Sequence, residues 1–376
     1  MRELITVEAS RLSAVRVGLE AALRGGPALM IVGEGELVRP GVEAPPTHVS
    51  DGTALVVQTS GSTAAPKRVC LSAESLLASA RATQARLGGP GQWLLAVPAN
   101  YIAGVQVLVR SLESEIEPAV VTGAFSPESF VAGVRSMTGD RKYASVVPAQ
   151  LQRLVEYARN DSDARRTLTD LAALLVGGQS TPLSLREQAT RLGFSIVRSY
   201  GSTETSGGCV YDGVPLEGVE LALEESGELR IAGNILALEY TEQRLTNSRF
   251  VMRNGKRWYL TGDEASLDAG TLRIIGRRNR MLISGGIKVS LDELDAIAAE
   301  ACHSPVASIA VSSTEWGERP VMVIEGNPSS AREDLIRAEV LERLGRVAVP
   351  DRIVWTASLP MGLTGKPDYA AIARLA

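Results

Sequence analysis

Three times along this chain an apolar run of strand length leads into a short loop of small polar residues. Ala54-Leu55-Val56-Val57 precedes the loop 59–67. Residues 171–176 precede Gly177-Gly178-Gln179-Ser180, and Phe194-Ser195-Ile196-Val197 leads into Tyr200-Gly201-Ser202-Thr203-Glu204. Helix signals follow the first two loops. Ser72 stands as an N-cap before Ala73-Glu74-Ser75, and Thr181 caps a helix with Pro182 as its first residue and Gly193 as its stop. Buried strands opening into such loops predict an α/β fold, with ligands bound at the C-terminal ends of the strands.

The first loop reads Thr59-Ser60-Gly61-Ser62-Thr63-Ala64-Ala65-Pro66-Lys67. Between a strand's end and a helix, its backbone N–H groups and hydroxyls can wrap an anion, and the lysine adds charge. It is not a Walker loop, which needs Gly-Lys-Ser/Thr, because Pro66 precedes Lys67 and Arg68 follows it. An ordinary polar turn has the same composition, so the reading depends on what lies downstream.

Composition narrows the function. The 376 residues suit about two or three domains, and a hydrophobic content of 45% is ample for a core. With 39 basic and 43 acidic residues well mixed, the net charge of −4 speaks against a nucleic-acid partner. No apolar run approaches the roughly 18 residues of a membrane span. Met1-Arg2-Glu3-Leu4 lacks the apolar stretch of a signal peptide, so a cytoplasmic protein, not integral to a membrane, is expected. Cys70, Cys209 and Cys302 are far apart, odd in number and without metal spacing, which suits a reducing compartment. His48 and His303 sit in loop-like contexts and do not suggest a histidine-dependent hydrolase. Only five basic residues are lysine: Lys67, Lys142, Lys256, Lys288 and Lys366. An ammonium and a guanidinium are not interchangeable at a crowded phosphate, so each surviving lysine is a candidate for such a site. Lys142 and Lys256, beside Arg141 and Arg257, are the weakest of them.

From about residue 213 glycine turns separate short β-like segments, such as the one between Gly227 and Gly233, and Tyr259-Leu260-Thr261-Gly262-Asp263 follows. The polar stretch Gly276-Arg277-Arg278-Asn279-Arg280 reads as a boundary between domains 1–278 and 279–376. Beyond it Ser290 and Glu293 form a capping-box pattern for a helix with Leu291, Leu294, Ile297 and Ala298 on one face. The chain's last motif is a glycine-rich loop ending in Gly365-Lys366.

Taken in order, the segments 59–67, 200–204, 227–229, 261–263, 276–277 and 365–366 resemble the motifs of the adenylate-forming superfamily of acyl-CoA synthetases, adenylation domains and luciferases. The resemblance covers residues 54 to 370. The short chain is most similar to the o-succinylbenzoate–CoA ligase family of menaquinone synthesis, in its compact, arginine-rich actinobacterial form. It implies a large N-terminal α/β domain of layered sheets and helices, carrying the ATP, magnesium and acyl sites. A small, mobile C-terminal α+β domain completes the adenylate-forming fold.

The resemblance also implies roles. Thr59, Ser60, Gly61, Ser62, Thr63 and Lys67 would hold phosphates. Gly178, Gln179, Tyr200, Gly201 and Ser202 would surround the nucleotide, with Tyr200 stacked on adenine; a core aromatic at a strand end is the plain alternative. Thr203 would meet the α-phosphate and Glu204 magnesium, unless Glu204 merely faces a helix dipole. Asp263 and Arg277 would take the ribose, although Asp263 also suits an Asp-turn. Lys366 would catalyse adenylation by bridging the carboxylate and the α-phosphate. Asn279 would be the hinge. Rotation about it would replace the Lys366 loop by Ser284, Gly285, Gly286 and Ile287, which face CoA, with Lys288 either on a CoA phosphate or solvated. Tyr101, Gln150, Ser206 and Gly207 are the candidates to line the acyl pocket. The implied co-substrates are ATP and CoA, the cofactor Mg2+, the substrate an aromatic carboxylic acid, and a homodimer remains open.

Several positions depart from the family pattern. Ala64 stands where glycine is usual, Tyr101 takes a slot often held by histidine, Asn279 replaces the hinge acid, and Pro367-Asp368-Tyr369 follows the terminal lysine without the usual arginine. The alternatives are another aryl- or acyl-CoA ligase, a stand-alone adenylation enzyme, or a non-catalytic nucleotide-binding relative.

Overall fold

Continuous apolar strands mark the middle of two sheets. Ala28–Val32 and Ala173–Val176 are buried at every residue, as strands are when both faces are covered. The structure, a computed structural model, describes residues 1–34, 44–59, 67–121, 123–361 and 367–376. The chain divides into two units. One comprises Met1–Ala222, Arg230–Leu260 and Gly270–Leu272; the other comprises Leu223–Leu229, Thr261–Ala269 and Arg273–Ala376.

Among the described residues, the first unit holds a six-stranded sheet in the order Glu239–Tyr240, Lys67–Ser72, Thr53–Thr59, Ala28–Val32, Arg2–Glu8 and His48–Val49. Its three inner strands from Thr53–Thr59 to Arg2–Glu8 are parallel and its outer pairs antiparallel. A seven-stranded sheet runs Val214–Pro215, Gly207–Tyr211, Ile196–Ser202, Ala173–Val176, Lys142–Val146, Gln92–Leu95 and Ala119–Val120. It is parallel from Ile196–Ser202 to Ala119–Val120, and Gly207–Tyr211 turns back antiparallel on Ile196–Ser202. Parallel neighbours need crossovers, which helices Pro127–Ser136, Pro148–Asn160 and Leu183–Arg191 supply. Phe130, Leu151, Leu154 and Leu185 of these helices share a core with Leu94, Val146, Leu174 and Val176 of the strands.

Caps follow local chemistry. Ser75 N donates to Ser72 Oγ at 3.0 Å at the start of Ala73–Arg86. The helix expected from Thr181 begins instead at Leu183. Pro182 is extended, with ψ 142°, so its fixed ring sets the approach to the helix rather than its first turn. Gly193, at φ 89°, lies just beyond the last turn, where a left-handed residue is needed.

In the second unit Ile287–Ser290, Met281–Ser284, Gly317–Glu325 and Val306–Ser313 form an antiparallel sheet, and Arg352–Thr356 adds parallel to Gly317–Glu325. Helix Leu291–Cys302 starts where Glu293 N donates to Ser290 Oγ at 3.2 Å, and it buries Leu291, Leu294, Ile297 and Ala298 as its spacing predicts. That face, with Ile336 and Val340 of Ser330–Leu344, packs with Leu282, Met322 and Ile324 of the sheet.

Among the described residues no helix is long and apolar enough to cross a membrane. The three cysteines are unpaired and buried. Burial pushes the Cys70 thiol up to about 11 and the Cys209 thiol up to about 12, and it raises Cys302 as well. At pH 8 dithionitrobenzoate should leave all three unlabelled in native protein while free cysteine reacts fully, and should label all three in strong denaturant. Prompt native labelling would show that these thiols are open to solvent.

Candidate active site

The two described ends of the first polar loop form the mouth of a β-hairpin. Thr59 pairs with Lys67, and Thr59 Oγ1 donates to Lys67 O at 3.3 Å. Residues 60–66, with Ser60, Gly61, Ser62 and Thr63, lie outside the described residues. The loop does not pass straight into a helix, as expected, because the strand Lys67–Ser72 intervenes before the Ser72 cap. Val69, Cys70 and Leu71 are all buried there, since the strand is paired on both sides.

The 200–204 motif also differs from the expected loop. Tyr200, Gly201 and Ser202 end the strand Ile196–Ser202, and Thr203–Thr205 is a single 3-10 turn. The pairing with Gly207–Tyr211 shifts register between Tyr200 and Gly201. A methyl at Gly201 would collide with the Gly207 carbonyl oxygen and stand 2.7 Å from Gly208 Cα, so glycine is required by contact. Thr205 Oγ1 accepts from Ser202 N at 2.9 Å and lies 2.8 Å from Gly207 O, which closes the turn. Ser206, left-handed at φ 52°, donates through Oγ to Ile235 O at 2.8 Å. Ala237 N donates to Glu204 O at 2.8 Å.

Inside this frame Glu204 is only 8% exposed, and Tyr240 Oη donates to its Oε1 at 2.7 Å. Burial, and then the negative charge of Glu204, push the Tyr240 phenol well above its ordinary value, so it stays a proton donor. Ser202 Oγ is buried with no hydrogen-bond partner. Among the described residues no cluster of three or more His, Cys, Asp or Glu forms a metal cage. A magnesium ion fits such a site through one carboxylate together with phosphate oxygens and waters.

Gly178, at φ 84°, and Gln179 lie exposed beyond the end of Ala173–Val176. Tyr200 is half-buried rather than enclosed in the core. Tyr101, 38% exposed, is the N-cap residue of helix Ile102–Ser114. Gln150 is engaged with backbone: Val147 N donates to its Oε1 at 3.0 Å, and its Nε2 donates to Ala96 O at 3.4 Å.

Beneath Ser206 and Gly207 lie residues that the sequence reading missed. Gln106 Nε2 donates to Ser206 O at 2.7 Å and to Leu76 O at 3.2 Å, while its Oε1 is buried without a partner. A Cβ on Gly207 would stand 3.1 Å from Gln106 Cγ. One helical turn further, Arg110 is 2% exposed. Its guanidinium lies 4.4 Å from the Trp93 ring centroid and Nη2 donates to Thr83 Oγ1 at 3.5 Å, but Nε and Nη1 have no partner. Burial lowers the affinity of this guanidinium for its proton. A signal existed in the sequence: Gln106 and Arg110, spaced i and i+4, are the polar residues of the otherwise apolar run 102–110.

In the second unit Thr261, Gly262 and Asp263 lie within the strand Lys256–Asp268, not in a turn. Gly262 has φ 79°, and its N donates to Glu228 Oε1 at 2.9 Å. Asp263 and Arg277 approach to 3.7 Å. Asn279 belongs to the 3-10 turn Arg278–Arg280. Gly285 and Gly286, at φ 56° and 79°, make the two-residue turn joining Met281–Ser284 to Ile287–Ser290. Ser284 Oγ is buried and unpartnered, Ile287 is exposed, and Lys288 Nζ lies 3.1 Å from both carboxylate oxygens of Glu264. Lys366 lies outside the described residues; a bridge between Met361 and Pro367 closes the base of its loop.

A buried carboxylate thus stands on a tight turn at a strand end, and the strand that begins at Lys67 packs against that turn. The chain matches the model of the AMP-binding enzymes over residues 33–241 and belongs to that family. It is 38% identical over 338 residues to the probable 2-succinylbenzoate–CoA ligase of Mycobacterium tuberculosis, covering 87% of this chain and 85% of that protein. It is 30% identical over 341 residues to the 2-succinylbenzoate–CoA ligase of Geobacillus kaustophilus, covering 83% and 67%. The fold matches that of o-succinylbenzoate CoA synthetase from Bacillus subtilis, solved with its acyl-adenylate intermediate. That match has a TM-score of 0.78 at 22% identity and covers 98% of this chain and 82% of the other.

Gly201→Ala tests the geometry of the turn. The added methyl meets backbone on both sides, so the variant should bind ATP at least tenfold more weakly and melt several degrees lower, by nucleotide titration and thermal scanning. Wild-type behaviour would mean that the close approach of the two strands does not set the turn.

Proposed function

We propose that this protein is an o-succinylbenzoate–CoA ligase. The carboxylate oxygen of the acid attacks the α-phosphorus of ATP, the bond to the β-phosphate oxygen breaks, and pyrophosphate leaves. The sulfur of CoA then attacks the acyl carbon of the mixed anhydride, giving the thioester and AMP. The observation that carries this reading is the buried Glu204 on the 203–205 turn, beside an unpartnered Ser202 hydroxyl. The two ligases that the chain matches at 38% and 30% identity support it.

In this reading Glu204 would hold a magnesium ion, which would supply neutralising charge for the triphosphate. Thr203 meets the α-phosphate, and Lys67 with the loop 60–63 meets the outer phosphates. Donors already oriented where negative charge develops lower the barrier without reorganisation. Asp263 accepts from ribose hydroxyls, with Arg277 beside it. Lys366 serves adenylation, and Asn279 is the pivot between parts 1–278 and 279–376. Residues 284–288 serve the CoA step, for which Lys288 must exchange Glu264 for a phosphate. The protein works in the cytoplasm.

Arg110 favours an acid with two carboxylates. One is activated, and the other needs a partner out of water. A buried cation with two unpartnered nitrogen positions, one helical turn beyond Gln106, suits that need. Arg110→Met should raise KM for o-succinylbenzoate about 10- to 100-fold with KM for ATP within about twofold, because a charge-assisted pair is worth ~1.5–3 kcal/mol. The same variant should melt higher, since an unpaired buried charge is removed. An unchanged KM would assign Arg110 a role in packing alone.

The reading as a whole is tested by pyrophosphate release from ATP and Mg2+ with a panel of carboxylic acids, with and without CoA, with products followed by mass. Release dependent on o-succinylbenzoate, with its CoA thioester appearing, is the expected outcome. Release with a different acid would move the substrate, and none with any acid would point to a nucleotide-binding protein.

A further inference from the structure

We propose that Tyr240 is a positioning residue for Glu204: its phenol fixes one carboxylate oxygen so that the other faces the metal–nucleotide complex. This rests on the reading of Glu204 given above. The contact is direct, 2.7 Å from Tyr240 Oη to Glu204 Oε1, and both residues are buried. Among the described residues, no other hydrogen bond or ion pair reaches the Glu204 side chain. A glutamate has three side-chain torsions, and the last is soft, so a single anchored oxygen removes most of its freedom. A carboxylate anchored through one oxygen presents the other as a ready metal ligand, in the way that outer partners orient metal ligands generally.

Tyr240 can do this because it is itself held. It pairs with Val69 across the edge of the six-stranded sheet, and its N donates to Thr246 Oγ1 at 2.9 Å. Its ring lies 5.9 Å from that of Phe250. Just before it, Arg257 donates to Ala237 O at 2.7 Å, and Ala237 N bonds the backbone of Glu204 itself. The strand that Tyr240 joins begins at Lys67, two residues before Val69. One phenol therefore ties the carboxylate to the strand that opens at the lysine of the phosphate loop. Tyr240 was not legible as functional in the sequence, because nothing near it in the chain contains Glu204.

The test uses Mn2+ as the probe, with binding to the folded protein in the presence of ATP followed by electron paramagnetic resonance. Tyr240→Phe keeps the ring and removes the donor. It should weaken Mn2+ binding about tenfold or more and raise KM for Mg2+ in parallel, with kcat at saturating Mg2+ within about threefold of wild type. In a Glu204→Gln background the same substitution should change Mn2+ affinity less than about twofold, because the two residues act as one unit. Thr246→Val, a milder loosening of the same strand, should shift affinity in the same direction by less. Affinity within twofold of wild type in Tyr240→Phe, or an equal loss with and without Glu204, would overturn the proposal. Absence of Mn2+ binding to wild type with ATP would instead overturn the assignment of Glu204, and this proposal with it.

Discussion

Gly201 and the carbonyl of Gly207 lie closer than any side chain would allow, and the arrangement around Glu204 depends on that approach. The strand pair narrows there, its register shifts by a residue, and the chain turns sharply through Thr203–Thr205. Backbone sterics alone set the shape of the turn. Polar contacts then hold it from two directions. The segment from Ile235 to Tyr240 bonds Ser206 Oγ, Glu204 O and Glu204 Oε1, while Gln106 bonds Ser206 O from the helix below. A turn fixed on both sides leaves the Glu204 carboxylate little conformational freedom to lose.

The first unit also retains groups that a core optimised for stability would not. Ser202 Oγ, Gln106 Oε1 and two nitrogen positions of Arg110 are buried without partners. Each such group costs on the order of 1–3 kcal/mol, more for a charge, and folded proteins keep few of them. Such groups are not confined to this unit: Ser284 Oγ, Asp295 Oδ1 and Ser308 Oγ of the second unit are also buried without partners. The stacking of Arg110 on Trp93 recovers part of the cost through the ring quadrupole but satisfies no N–H group.

The second unit solves a different problem, that of bracing short loops. Arg280 donates to Asp292 Oδ1 at 2.8 Å, Asp295 Oδ2 at 2.5 Å and Ser308 O at 2.6 Å, and its guanidinium lies 3.9 Å from the Tyr369 ring centroid. Tyr369 begins the last helix, just past the closed base of the Lys366 loop. The 3-10 turn that contains Asn279 and the root of that loop are thus joined through one guanidinium.

Much of this was legible from residue order alone. Continuous apolar runs gave the interior strands, the Ser290 cap and the 3.6-residue spacing gave helix Leu291–Cys302, and motif order singled out Glu204, Asp263 and Arg277 as candidates. These are local signals, carried by neighbours along the chain. The strand Lys67–Ser72 was missed because it is short, and its burial comes from partners on both sides. Tyr200, Gly201 and Ser202 read as a loop because glycine and serine are turn formers, yet pairing with Gly207–Tyr211 makes them strand. Gln106 and Arg110 had only their polar spacing in an apolar run, and Tyr240 had no local mark of function. What they meet is 100, 27 and 36 residues away along the chain: the carbonyl of Ser206, the hydroxyl of Thr83 and the carboxylate of Glu204. The sequence by itself determined the class of fold and the order of the motif residues along it. Only the tertiary structure decided how those residues are held, because orientation and burial come from contacts that sequence spacing does not encode.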